Sequence, residues 1–255
     1  MQVVDYFSIF FRWFHIIAAI MWIGMLWWFN FVNIPFGATM DADTRKKVIP
    51  ELIPRALFWF RMGAALTWIT GFFLLYFVFE ASTIYMATPA NATAASRLVF
   101  YSFLLAPFIY HWLAGMIKDA KVFGIVSYAL VVIILYVLNC CCGFGYRGFV
   151  IYTGAMFGSI MAYNVWFVIW PNQKKIITGL KTGNPADPSL AATTGLRSKH
   201  NTYLSVPLIW AMINAHSAAG PFASDSGWII FAVIILVGWM IVKQLYSRAG
   251  KIKGF

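Results

Sequence analysis

Four histidines, His15, His111, His200 and His216, are the side chains best suited to chemistry in this chain. Two of them bracket one largely apolar stretch, residues 197–218, which reads RSKHNTYLSVPLIWAMINAHSA. Imidazole binds transition metals, and an ionisable group inside an apolar segment is rare and usually functional. Two neutral imidazoles on facing helices are a common way to hold a b-type haem in a helical bundle, with the axial ligands tuning its potential.

The elements that must position these groups follow from composition. Of 255 residues, 62% are hydrophobic and 11% charged, against about 25% charged in a soluble domain. The chain therefore reads as one all-α domain over residues 1–255, a multi-pass bundle whose first partner is the lipid bilayer. The first hydrophobic run is too long for a signal peptide and lacks a small-residue cleavage site. A spanning helix needs about 20 apolar residues, and seven segments qualify: 6–35, 56–80, 98–116, 122–142, 149–170, 200–219 and 228–246.

Charge sets the expected orientation. Arg45, Lys46, Lys47 and Arg55, then Lys118 and Lys121, then Lys174, Lys175, Lys181, Arg197 and Lys199, and finally Lys243, Arg248, Lys251 and Lys253 fall in alternate connections. The opposite side carries only Arg12, Arg97 and Arg147. Basic residues gather in cytoplasmic loops, so the N-terminus is expected outside and the C-terminus in the cytoplasm. The same bias accounts for the net charge of +11 without nucleic acid. Residues 173–199 read as an irregular loop, 41–55 as a short amphipathic helix on the membrane surface, and 81–96 as an ordered external loop. There is no internal repeat. The consecutive Cys140, Cys141 and Cys142 have no zinc spacing, no CxxCH haem-attachment site occurs, and the three thiols read as packing residues.

That orientation gives each histidine a depth, at about 1.5 Å per residue. His15 and His216 fall on the outer side, His111 and His200 on the inner. Two pairs, one per leaflet, would hold two b-type haems and carry electrons across the membrane. Arg12, one turn from His15 and on its face, is placed to pair with a haem propionate outside, and Arg61 to do the same inside. One geometric fact opposes this arrangement. His200 and His216 are 16 residues apart, about 24 Å along an ideal helix and about 160° around it. Both line one interior only if the helix is bent, with Pro207 as the source of a kink, if it sits centrally, or if His200 precedes it. The histidines equally fit packing roles, bonded across helices to serine, asparagine or backbone groups, or a metal or proton path lined by His, Tyr and Asn. Tyr163, Asn164 and Asn214 are polar groups in apolar helices that fit a quinone or substrate pocket, or interhelical bonds. Gly24 and Gly71 are expected to permit close helix packing, and Glu80 to be interfacial.

Four stretches carry a family resemblance: 12–33 (RWFHIIAAIMWIGMLWWFNFVN), 57–72 (LFWFRMGAALTWITGF), 154–176 (GAMFGSIMAYNVWFVIWPNQKKI) and 197–216 (RSKHNTYLSVPLIWAMINAH). With His15 followed by Trp22-Ile-Gly, and with Phe60, Trp68, Thr70 and Gly71 in the family pattern, the chain resembles the N-terminal membrane domain of the bacterial cytochrome-linked urate oxidases. The resemblance implies a bacterial inner (cytoplasmic) membrane protein, oxidation of urate to 5-hydroxyisourate, and electron transfer to a c-type cytochrome, which must here be a separate protein. His15, His200 and His216 fall on motif positions; His111 rests on depth alone. The chain departs from the family in its first loop, GATMDADTRKKVIPELIP, which is shorter and lacks a histidine, and at Thr153, where the family often has histidine.

Three readings follow. The first is a membrane electron-transfer protein with one or two b-type haems, a subunit of a larger respiratory or photosynthetic complex, passing electrons between a partner such as cytochrome c and a quinone or second haem. The second is a membrane oxidase of urate or a related small heterocycle that reduces a separate cytochrome c. The third is a cofactor-free structural or transport subunit.

Overall fold

Where no water can satisfy the backbone, an apolar run must close its hydrogen bonds internally, and the long apolar runs of this chain are helices. The computed structural model describes residues 3–184, 186–216, 224 and 226–252. Residues 217–223, into which the expected sixth span runs, lie outside the described residues, as does Lys253. Among the described residues six helices are long and apolar enough to cross a membrane: α1 (Tyr6–Gly37), α2 (Ala42–Glu80), α3 (Ala94–Met116), α4 (Ala120–Cys141), α5 (Tyr146–Thr182) and, near the C-terminus, α7 (Gly227–Ala249). Between the last two lies α6 (Pro188–Asn214), 27 residues long but more polar. Among the described residues the one extended pairing is an isolated bridge between Met86 and Phe144.

The bundle is organised around α5. In its most apolar stretch 89% of residues are buried, against 22–33% in the other five spans. Small residues let neighbours approach it. A Cβ at Gly148 would run into the Tyr85 carbonyl, and one at Gly154 would lie 2.8 Å from Met212 Cε. A matching contact joins α1 to α2, where a Cβ at Gly63 would sit 2.9 Å from the Trp22 nitrogen. Gly24, expected at such a contact, instead faces open space.

Two of the helices widen into π-turns just before a proline. Trp28–Asn33 precedes Pro35 in α1, and Asn164–Ile169 precedes Pro171 in α5. Proline donates no N–H and its ring crowds the carbonyl four residues back, so the preceding turn opens.

Two connections differ from expectation. Residues 173–199 are mostly helical. Gly183, left-handed at φ 74, ends α5, and Asp187 caps α6 by accepting from the Ser189 amide at 2.8 Å, with Pro188 in the first turn. Gly at a helix end and Asp-Pro at a helix start are strong local signals that outweigh a polar composition. Residues 41–55 are no separate surface helix. Asp41 accepts from the Asp43 and Thr44 amides at 3.0 and 2.9 Å, and one continuous helix runs from Ala42 through Pro50 and Pro54. Glu80 is buried and paired with Arg97 Nε at 3.2 Å. Residues 81–96 are ordered by the buried Tyr85, stacked on Phe100 at 4.6 Å, whose carbonyl accepts from the Gly145 amide. The three cysteines are free thiols, with Cys140 and Cys141 exposed.

Both caps hold their carboxyl groups below the usual range. At Asp41 the Thr44 hydroxyl contributes most, then the Thr44 amide; at Asp187 the Ser189 amide leads.

Candidate functional site

The first two helices, α5 and α6 form most of the wall of a largely apolar cavity of ≈ 620 Å³ that both His15 and His216 line, within the range of about 300–1,000 Å³ usual for small-molecule and cofactor pockets. His15 is half-buried, with Nδ1 3.1 Å from Thr70 Oγ1. The Thr70 hydroxyl gives its own proton to the Leu66 carbonyl at 2.6 Å, so toward His15 it can only accept. The network therefore assigns the proton to Nδ1 and leaves a lone pair on Nε2. That is the arrangement of a metal-ligating histidine whose other nitrogen is bonded behind it. Gly71 makes room for the ring: a Cβ there would lie 2.9 Å from His15 Cε1.

His216 lies in the turn just beyond Asn214, exposed along the cavity, with its ring 5.7 Å from that of Phe79. The two imidazoles are close enough to interact electrostatically. Arg12 is exposed and also lines the cavity. Two buried polar atoms on its wall, Trp22 Nε1 and Thr67 Oγ1, have no hydrogen-bond partner. Such atoms are uncommon in folded proteins and point to a missing partner. A lone pair on one imidazole, a second imidazole on the same cavity, unpartnered donors and a cation at the edge together fit a haem with its propionates.

The expected inner pair is not brought together. His111 is exposed beside the Tyr163 ring at 5.6 Å, whereas its neighbour Tyr110 is buried. Successive helical residues point about 100° apart, so only one of the two faces inward. His200 lines a separate cavity of ≈ 400 Å³ that His111 does not reach. Arg61 lines neither cavity; its guanidinium sits 3.9 Å over the Trp170 ring. His200 and His216 thus serve two cavities, as their angular separation requires.

Behind His200 is a polar hub. Tyr110 Oη is 2.7 Å from His200 Nδ1 and accepts from Asn164 Nδ2 at 3.2 Å, while the Arg197 guanidinium lies 5.0 Å from the Tyr110 ring centre. Asn164 also donates to Asn201 Oδ1 at 2.8 Å, and Asn201 donates to the Met161 carbonyl at 3.0 Å. Of the polar residues singled out in the sequence, Asn164 belongs to this hub. Tyr163 packs on His111, and Asn214 bonds the Trp210 carbonyl of its own helix. Tyr110, Asn201, Thr67 and Trp22 escaped the sequence reading as site residues. The spacing of Asn201 one residue after His200 was the available signal.

The family model described as Urate oxidase N-terminal matches residues 36–254, a range that holds His111, His200 and His216 but begins after Arg12 and His15. No curated protein and no solved structure matches the chain.

Proposed function

The chain belongs to the urate oxidase N-terminal family, and on that premise we propose that it is an integral-membrane electron-transfer protein holding one b-type haem between His15 and His216. The observation that carries this reading is the bare Nε2 of His15 on a cavity that a second histidine shares. His15, its tautomer fixed by Thr70, and His216 would each hold the haem through an imidazole nitrogen, and Arg12 would neutralise its carboxylate charge. The largely apolar wall excludes water, which favours a haem of tuned potential. The bound haem would supply one-electron chemistry, with a separate c-type cytochrome as the partner. In this reading α6 is a seventh span, its polar side turned to α5, and the basic connections place the C-terminus in the cytoplasm of a bacterium.

The test is a reduced-minus-oxidised visible spectrum of the purified protein with a pyridine haemochrome assay. A b-type α-band at one haem per chain is expected, lost in His15→Ala and in His216→Ala and kept in His111→Ala. A colourless, folded protein refutes the proposal.

The family match favours a second reading, a membrane oxidase of urate or a related heterocycle. It requires urate-dependent reduction of added cytochrome c by the purified protein.

A further inference from the structure

The cavity beside His200 is built differently. Its wall is mostly aliphatic and aromatic, and Ile109, Leu130 and Leu196 line it while also being exposed on the bundle surface. The cavity is therefore reached sideways, from the apolar perimeter of the bundle. Its polar groups are few, and no carboxylate is among them.

The protonation of His200 follows from its neighbours. Tyr110 Oη already accepts from the Asn164 amide. Its single proton is free to go to His200 Nδ1, 2.7 Å away. Nε2 then carries the imidazole hydrogen and acts as a donor. The ring cannot swing away, because it lies parallel to Phe123 with centroids 4.8 Å apart and planes 6° apart. On the same cavity Trp239 Nε1 is buried with no partner, a second donor without an acceptor. Lys199 adds an ammonium group at the edge. The site thus offers N–H groups in an apolar slot open to the bundle's surface.

We propose that this cavity binds a lipid-soluble ring carrying carbonyl oxygens, of the quinone class, with His200 Nε2–H and Trp239 Nε1–H as donors to those oxygens. A fatty acyl chain would leave both donors unmet, and a water-soluble anion would not be reached through an apolar perimeter. The proposal is independent of haem at the His15 cavity.

The test titrates the purified full chain in mild detergent with decylubiquinone by calorimetry, alongside decylbenzene, which has the tail and ring but no carbonyl. Saturable binding of the quinone, and much weaker binding of decylbenzene, is expected. Removing one hydrogen-bond donor weakens binding by about tenfold or less, so His200→Ala and Trp239→Phe should each do so, with His200→Gln recovering part of the loss. Gly124 lines the cavity, and a Cβ there meets nothing within 4 Å. Gly124→Phe therefore places a ring in the slot while keeping His200 in the sequence, and should abolish binding while helix content by circular dichroism is kept. If His200→Ala does not fold, the Gly124→Phe and decylbenzene arms decide the matter. Non-saturable partitioning, equal affinity for decylbenzene, or unchanged binding in Gly124→Phe overturns the proposal. The titration is read with or without haem, so its failure leaves the His15 reading standing.

Discussion

His15 and His200 are both half-buried, and each has its Nδ1 held by a hydroxyl, Thr70 for one and Tyr110 for the other. The two hydroxyls act in opposite senses. Thr70 has committed its proton to the Leu66 carbonyl and must accept, so His15 presents a lone pair at Nε2. Tyr110 already accepts from Asn164 and has its own proton to give, so that His200, accepting it at Nδ1, presents an N–H. On the two proposals one ring would bind iron and the other an oxygen. The group behind the hydroxyl, rather than the histidine or its depth, decides which.

The largest expected effect separates the two rings outright. His15→Ala should remove the whole b-type absorbance, and His200→Ala should leave it intact; loss in both would erase the distinction. Next, Thr70→Val keeps the shape beside His15 and removes the acceptor. A lost partner behind a metal-ligating histidine costs about 10–100-fold in affinity, so haem retention through gel filtration should fall while helix content holds. Unchanged retention would show that Thr70 does not set the tautomer. On the other side, Asn164→Leu strips a donor from Tyr110 and from Asn201. Leaving buried polar groups unmet costs about 1–3 kcal/mol, to be read as a lower unfolding midpoint in detergent, with the spectrum at the first cavity unaltered.

The smallest effect lies outside both regions and gives their baseline. Asp41 and Asp187 have carboxyl groups held below the usual value of 3.8, chiefly by Thr44 and by Ser189. A depressed value means that the charged cap contributes stability above the unfolded value, and that this is lost as pH falls through the lower folded one. Helix content should therefore decline slightly below about pH 4, and Asp41→Asn, which still caps but does not titrate there, should flatten that decline. Circular dichroism across this range checks it, and a decline equal in the variant would assign the loss elsewhere.

The helices were largely legible in the sequence because a long apolar run states where a helix lies, though those expected at 56–80, 149–170 and 200–219 start or end 12 to 14 residues further out, as Ala42–Glu80, Tyr146–Thr182 and Pro188–Asn214. By contrast, the expected 98–116 is observed as Ala94–Met116. The polar connection 173–199 was not legible, because composition outweighed the brief signals at Gly183 and Asp187. For the site, depth was readable and azimuth was not. Rise per residue placed His111 beside His200 in height, yet the inward position at that level belongs to Tyr110. His15 and His216, paired by depth in the sequence, line one cavity. Their roles then turn on Thr70, which appeared in the sequence only as part of a motif, because its use lies in a contact 55 residues away.

The π-turns at Trp28–Asn33 and Asn164–Ile169 carry a consequence for how such helices encode information. Each takes up one residue more than an α-turn would, which slips the phase of the side-chain repeat by about 100°. A face traced through α5 from Gly154 by a steady 3.6-residue count therefore drifts off its true course beyond Asn164. Deleting a single residue within 164–169 would restore the count and rotate every later side chain of the helix by that angle, turning Trp166 and Trp170 away from Arg61. One rod thus holds two independently aimed surfaces.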